Sequence, residues 1–231
     1  MFAHRGARAH AQDNTIESFQ LALRLGATGL ESDVWVTSDG IAVLDHDGEV
    51  RSGLFKKTPI GRLRRDQLPD HVPTLRQLFE ICGTEYHLSL DLKDHDAGEA
   101  VLELVRAVAP DLLSRMWLCH PALDELTTLR PLDDQVKLVD STRLERIAEG
   151  PERRAARLAD IGIDGINLRN QDWNGGLVAL FHRFERTAFS WDLQFEHHLR
   201  SAYRMGIDGV YSDFVDRMVD MFRTEIGSPN Q

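Results

Sequence analysis

The chain of 231 residues is 42% hydrophobic and 28% charged with a formal net charge of −10, the make-up of an ordinary globular protein long enough to bury an extensive core. That charge excludes nonspecific nucleic-acid binding, which needs a basic surface, and no apolar run approaches the roughly 18–20 residues of a membrane span, which excludes stable membrane insertion. Cys82 and Cys119 have no zinc-type spacing; one in a predicted helix and one in a predicted buried strand, they read as reduced thiols of a cytoplasmic protein.

The opening Met1-Phe2-Ala3-His4 has neither a basic n-region nor an apolar h-region, so no secretory signal is expected. From there, short apolar, β-branched runs alternate with stretches of helical period. The first run, Phe2–His4, leads into His4-Arg5-Gly6. A helix over Thr15–Leu25 follows, with Asn14 and Glu17 reading as its capping box. The runs Gly29–Val34 and Ile41–Asp45 are joined through Thr37-Ser38-Asp39-Gly40, too short for a crossover helix, and Asp-Gly between apolar runs signals a hairpin. With a two-residue loop Ser38 faces Ile41 and Asp33 falls opposite His46, so that Glu31, Asp33 and His46 share one face. A three-residue loop with a bulge moves that register by one. The stretch Arg51–His71 lacks a clear period, carries six basic residues from Arg51 to Arg65, and is expected to form a loop and short helix over one end of the fold.

Six more runs follow: His87–Leu92, Arg115–His120, Gln135–Asp140, Gly165–Leu168, Ala188–Leu193 and Gly209–Ser212. Helix-like segments include Gly98–Val108, Arg143–Glu149, Glu152–Ile161 and Phe214–Thr224, with Pro121 and Pro151 placed in first turns. Gly26-Ala27-Thr28-Gly29-Leu30, Gly162-Ile163-Asp164-Gly165-Ile166 and Gly206-Ile207-Asp208-Gly209-Val210 repeat one αβ connection, a capping glycine, a tight turn and a buried strand. Repeated βα units predict an α/β protein, a (β/α)8 TIM barrel forming one domain over residues 1–231. An open doubly wound sheet is disfavoured, since no Gly-rich phosphate loop follows the first strand. Nine runs exceed a closed eight by one, and the surplus is assigned to the hairpin strand. The tail Gly227–Gln231 is expected to fray.

Barrel enzymes keep their active sites at the C-terminal ends of the strands, where the pattern places His4, Arg5, Glu31, Asp33, Asp91, Lys93, His120, Asp140, Asn167, Arg169, Trp191, Asp192 and Asp213. A lone histidine after a strand is usually structural, and E-x-D in a strand is usually surface pattern. Their recurrence at successive strand ends is what points to a site. Glu31, Asp33 and Asp91 offer oxygen ligands without cysteine, which favours Mg²⁺ or Ca²⁺ over Zn²⁺. Two imidazoles beside such a cation are the parts for acid–base chemistry on a phosphate ester.

His4-Arg5-Gly6, Asp13-Asn14-Thr15 leading to Phe19, Glu31-Ser32-Asp33-Val34, Thr37-Ser38-Asp39-Gly40 and His46-Asp47 resemble the glycerophosphodiester phosphodiesterase family. Pro73-Thr74-Leu75, Leu90-Asp91-Leu92-Lys93 and Gly206-Ile207-Asp208-Gly209-Val210-Tyr211-Ser212-Asp213 extend the resemblance over nearly the whole chain. It implies a (β/α)8 barrel that hydrolyses glycerophosphodiesters to glycerol 3-phosphate and an alcohol with a divalent metal. Carried over by position, His4 and His46 resemble the acid–base pair, and Glu31, Asp33 and Asp91 the metal ligands. Lys93 and Arg5 match phosphate contacts, and Trp191 is assigned to the substrate rim. Asn14 and Thr15 are read mainly as capping.

Three departures stand out. Asp13 replaces a glutamate, Asp91 shortens a glutamate ligand by one methylene, and Ser190-Trp191-Asp192-Leu193-Gln194 replaces a more usual W-T-V-N-like stretch. The segment after His46 is also shorter than the family's cap region. Two rival readings follow: a phospholipase D-like lyase that turns lysophospholipids into a cyclic phosphate, and a catalytically silent phosphodiester-binding protein. The residues leave open which histidine is acid and which base, whether water or the substrate's own hydroxyl attacks, the head-group alcohol, the oligomeric state and the pathway.

Overall fold

Apolar runs alternating with amphipathic helices build the repeated unit that the sequence predicts. The computed structural model describes residues 1–51 and 57–227. In chain order β1 (Phe2–Ala3), α1 (Ile16–Arg24), β2 (Gly29–Val36) and β3 (Ala42–Leu44) are followed by β4 (Glu49–Arg51), β5 (Lys57–Pro59), α2 (Leu75–Cys82) and β6 (His87–Leu92). Next come α3 (Ala97–Val108), β7 (Met116–His120), α4 (Leu123–Leu129), β8 (Lys137–Ser141) and α5 (Pro151–Asp160). The last six are β9 (Gly165–Arg169), α6 (Gly175–Arg183), β10 (Thr187–Trp191), α7 (Glu196–Met205), β11 (Gly209–Ser212) and α8 (Val215–Glu225).

Phe2 pairs with Tyr211 on one side and Gly29 on the other, so the short β1 closes a parallel barrel in the order β1-β2-β6-β7-β8-β9-β10-β11. The surplus strand lies where the hairpin signal put it: β3 is antiparallel to β2 and outside the ring. Val34 pairs with Leu44, and Asp45 N–H donates to Asp33 O at 3.1 Å, so Asp33 faces Asp45 rather than His46. The loop is the three-residue form. Thr37 bonds Ile41 across Ser38-Asp39-Gly40, and Gly40 takes the left-handed φ of 79° that closes it.

Two cores result. One lies between the strands and the surrounding helices, built on side chains such as Leu30, Leu88, Leu90, Leu118 and Phe181. The other fills the barrel with Phe2, Cys119, Val139, Phe189 and Tyr211. Phe2 stacks on Tyr211 at 4.9 Å and meets Phe189 edge-on at 6.0 Å, an aromatic floor beneath the C-terminal mouth. A Cβ on Gly209 would come within 2.3 Å of the Phe189 ring, so glycine there leaves room for that ring.

Several local readings give way to longer-range geometry. Thr15, not Asn14, caps α1, accepting from Ser18 N–H at 3.2 Å. Asn14 is buried, and its Oδ1 accepts from Ser32 Oγ at 2.7 Å. Pro151 does open α5, but Pro121 precedes the N-cap of α4. Arg143–Glu149 forms a single 3₁₀ turn, Leu144–Arg146, because the segment is too short to repay helix nucleation before Gly150 and Pro151 start a new element. The Arg51–His71 stretch contains β5 and two 3₁₀ turns, Ile60–Arg62 and Arg65–Gln67, on a small core of Val43, Val50, Ile60, Leu68 and Val72. Lys56 and the tail beyond Gly227 lie outside the described residues. Cys82 and Cys119 are free thiols, and no described helix is long and apolar enough to cross a membrane.

Candidate active site

Strand alternation aims the acids. On β2, Glu31 and Asp33 point into the barrel while Leu30 and Val34 pack outward. The parallel register sets Asp33 beside Asp91 of β6. One carboxylate oxygen from each of Glu31, Asp33 and Asp91 lies within 4.8 Å of the others. Glu31 and Asp33 are only 5% and 3% exposed, directly above the aromatic floor. Burial, reinforced by the neighbouring charges of Asp33 and Asp91, pushes the Glu31 carboxyl up to about 8. Burial and Asp33 likewise raise Asp91, against the pull of Lys93.

Two cations face this cluster. Lys93 Nζ lies 2.9 Å from Asp33 Oδ1 and 3.3 Å from Asp91 Oδ2; burial would lower its pKa, but Asp91 and Asp33 outweigh that and raise it. Arg5 donates its backbone N–H to Glu31 Oε2 at 2.9 Å, and its Nε lies 3.4 Å from Asp33 Oδ2. Arg5 adopts a left-handed φ of 53°, held by Asn14 N–H and Ser18 Oγ, which both donate to its carbonyl. Such strain in a non-glycine residue persists where the surroundings over-determine it.

The first histidine is oriented from the last strand. His4 Nδ1 and Asp213 Oδ1 are 2.6 Å apart, and Nε2 points towards Glu31 at 3.9 Å. Burial alone would lower the pKa of His4, but the Glu31 charge and the Asp213 hydrogen bond outweigh it, so the net shift is upward. His46 sits on the turn after β3, exposed, with its Nδ1 2.8 Å from Asp47 Oδ1. The one-residue register shift puts it on the lip rather than beside Asp33.

A cleft of about 630 Å³ unites these groups. His4, His46, Arg5, Lys93, Glu31, Asp33, Asp91 and Trp191 all line it, as do Asn167, Asp192 and Asp213. Three residues expected at the mouth are absent from its lining. Asp140 faces outward to a 2.7 Å bond with Arg154, Arg169 turns to Asp192 at 3.1 Å, and His120 bonds the backbone of Ala122. The lining also includes Arg8, Arg143, Arg146 and Gln194, none of which the strand pattern places at the mouth. A neighbouring cavity of about 760 Å³ opens beside His46, bordered by Arg8, Asp47, Arg51 and His71.

The donor set fits a hard divalent cation. It comprises three carboxylates with no sulfur, and buried like charges raise one another's pKa. Asp33 Oδ2 is buried with Arg5 Nε at 3.4 Å and no hydrogen bond made to it, an acceptor with room for a further cation or donor.

The model of the glycerophosphoryl diester phosphodiesterase family matches residues 4–217. Glycerophosphodiester phosphodiesterase 1 of Mus musculus is 31% identical over 153 residues, 58% of this chain and 46% of that protein. The chain thus spans under half the length of that mammalian relative. Two solved structures share the fold: a glycerophosphodiester phosphodiesterase from Thermotoga maritima (TM-score 0.81, 23% identity, 95% of this chain and 96% of that one), and an Oleispira antarctica phosphodiesterase in complex with the product sn-glycerol-3-phosphate (TM-score 0.83, 20% identity, 96% and 95%).

Proposed function

The chain belongs to the glycerophosphoryl diester phosphodiesterase family, and from that premise we propose that it is a metal-dependent phosphodiesterase hydrolysing glycerophosphodiesters to glycerol 3-phosphate and an alcohol. The observation that carries this reading is the gathering of two histidines, three carboxylates and two cations in one cleft. In it the 231 residues act as one catalytic barrel domain. The free thiols suit a cytoplasmic setting.

Glu31, Asp33 and Asp91 would hold the divalent cation, Mg²⁺ or Ca²⁺, whose chemistry is to polarise a phosphoryl oxygen and offset the charge that builds on it. Arg5 and Lys93 neutralise the other phosphate oxygens, Arg5 through a fork that suits two of them at once. With Nδ1 of each imidazole turned to a carboxylate, Nε2 is the working atom of both His4 and His46. One Nε2 takes the proton of the nucleophile and the other protonates the leaving alkoxide, which needs one neutral and one charged imidazole near neutral pH. Trp191 borders the substrate rim.

Phosphorus NMR of the protein with mixed glycerophosphodiesters, in Mg²⁺, Ca²⁺ or chelator, tests the reading. Metal-dependent release of glycerol 3-phosphate is expected, with His4→Ala and His46→Ala each lowering turnover by about 10²-fold or more. A persistent cyclic phosphate would make the protein a lyase, and near wild-type turnover in both variants would remove the histidines from the mechanism. No conversion of any diester or lysolipid would leave a silent phosphodiester-binding protein.

A further inference from the structure

The two walls of the cleft differ in charge. Around the ring of strands β2 stands second, β8 fifth and β10 seventh, so β8 and β10 flank the position across the mouth from β2. On the β2 side each cation is met by carboxylates: Arg5 by Asp13 and Asp33, Lys93 by Asp33 and Asp91. Arg8, beside them, is met by Asp13 and Asp213. On the far wall the loop after β8 carries Arg143 and Arg146, both exposed and both lining the cleft. Arg146 has no ion pair or side-chain hydrogen bond among the described residues. The carboxylate at Arg143 is Glu145, 3.7 Å away and itself exposed, a contact worth little in water.

Trp191 lies against this patch. A rim indole commonly receives a quaternary ammonium, but here the guanidinium carbons of Arg143 and Arg169 are each 5.8 Å from the ring centroid. Arg169 is neutralised by Asp192, whereas Arg143 and Arg146 remain available. A cationic head group at this wall would therefore meet an occupied ring and two positive charges.

Resting on the phosphodiesterase reading, we propose that the preferred substrate carries a second anionic group on its alcohol, a phosphate or carboxylate, bound by Arg143 and Arg146. The reacting phosphate stays near Arg5 and Lys93, and the alcohol arm crosses the mouth to the far wall. The planar guanidinium fork matches either anion. These arginines set specificity and touch no reacting atom, so they act on KM more than on kcat.

The test compares glycerophosphocholine, glycerophosphoinositol and glycerophosphoinositol 4-phosphate at low salt, for the wild type and Arg143→Ala/Arg146→Ala. Expected is a kcat/KM that rises in that order, about 10-fold from the neutral to the phosphorylated inositol ester. The double variant loses that step, mainly in KM, and gains relative rate on the choline ester. A wild type that favours the choline ester, or a variant that keeps the same preferences, overturns the proposal. Equilibrium binding of the same three esters to His4→Ala, with and without both arginines, separates the two readings. If nothing is turned over, the phosphodiesterase reading fails; an arginine-dependent preference in binding still upholds the anionic arm, and equal binding of all three overturns it.

Discussion

His4 Nδ1 and Asp213 Oδ1, 2.6 Å apart, tie the loop after the first barrel strand to the loop after the last. Asp213 is itself fixed, since its backbone N–H donates to Gln194 Oε1 at 2.9 Å and its other carboxylate oxygen lies 3.6 Å from Arg8. A carboxylate at Nδ1 selects the tautomer that carries its proton there, which leaves Nε2 free for the proton transfer of the proposed reaction. Asp47 stands in the same relation to His46.

In the proposed reaction Asp213 is therefore a positioning residue. Asp213→Asn keeps the shape but weakens the preference for the working tautomer of His4, as in carboxylate-oriented histidines generally. We expect kcat to fall about 100-fold with little change in KM, and the pH–rate profile to shift on the limb that reports His4. A purely structural role would leave the profile in place and lower only the amount of folded protein, so the profile of the folded variant decides.

The same contact predicts how stability responds to acid. Burial would raise the pKa of Asp213, but the His4 hydrogen bond and charge, then Arg8 and Gln194, outweigh it and hold the carboxyl below its ordinary value. A folded-state pKa below the unfolded one means that the contribution is present in full above about pH 4 and is lost as pH falls through the folded value. Thermal melts of wild type and Asp213→Asn, taken from pH 6 to pH 2, should differ most near pH 5–6 and converge in acid. A difference that persists unchanged at the acid end would show that the pair contributes no ionic stabilisation.

How far the sequence could be read depends on the range of each cause. The barrel and the inward set of Glu31, Asp33 and Asp91 follow from period-two alternation and a repeated αβ turn, both local signals. The hairpin register does not. Asp39-Gly40 suits two loop lengths, and the bonds from Thr37 to Ile41 that choose between them are tertiary detail. Asn14 sits two residues before α1 and looks like a cap, yet its partner Ser32 is 18 positions away. Arg8, Arg143 and Arg146 lie outside the strand runs, the last two in a stretch that reads as helical, and they reach the cleft only when the strands that carry their loops close into a ring.

The acidic cluster should behave as a stability cost that a cation relieves. Three clustered carboxylates, two of them buried, repel one another, and Glu31 is pushed up to about 8 mainly by burial. In chelator, Asp91→Asn removes one of the repelling charges and should raise Tm, a gain of the kind seen when active-site strain is removed. In wild type, Mg²⁺ or Ca²⁺ at about a hundred times its Kd should add about 2.7 kcal/mol, roughly 5–10 °C for a chain of this size. The variant should lose most of that shift. Equal metal-induced shifts in both proteins would place the cation elsewhere.

Two left-handed glycines, one at each end of β3, should respond differently to a methyl group. Gly40, φ 79°, closes the β2–β3 loop, and a Cβ there meets nothing within 4 Å. Gly40→Ala therefore adds only backbone strain, about 1 kcal/mol, at a loop that does not border the cleft. Gly48, φ 69°, follows the His46-Asp47 turn, and its Cβ would lie 2.3 Å from Trp35 Cζ2. Trp35 cannot yield freely, because its Nε1–H donates to Asp45 O at 2.8 Å while Gly48 N–H donates to Asp45 Oδ1. Relief must come from the turn itself, which moves His46. Gly48→Ala should cost about 1–3 kcal/mol beyond the strain and lower kcat in the protein that remains folded, whereas Gly40→Ala should lower Tm slightly at wild-type kcat. Equal kcat in the two folded variants would mean that His46 does not depend on this turn for its place at the cleft.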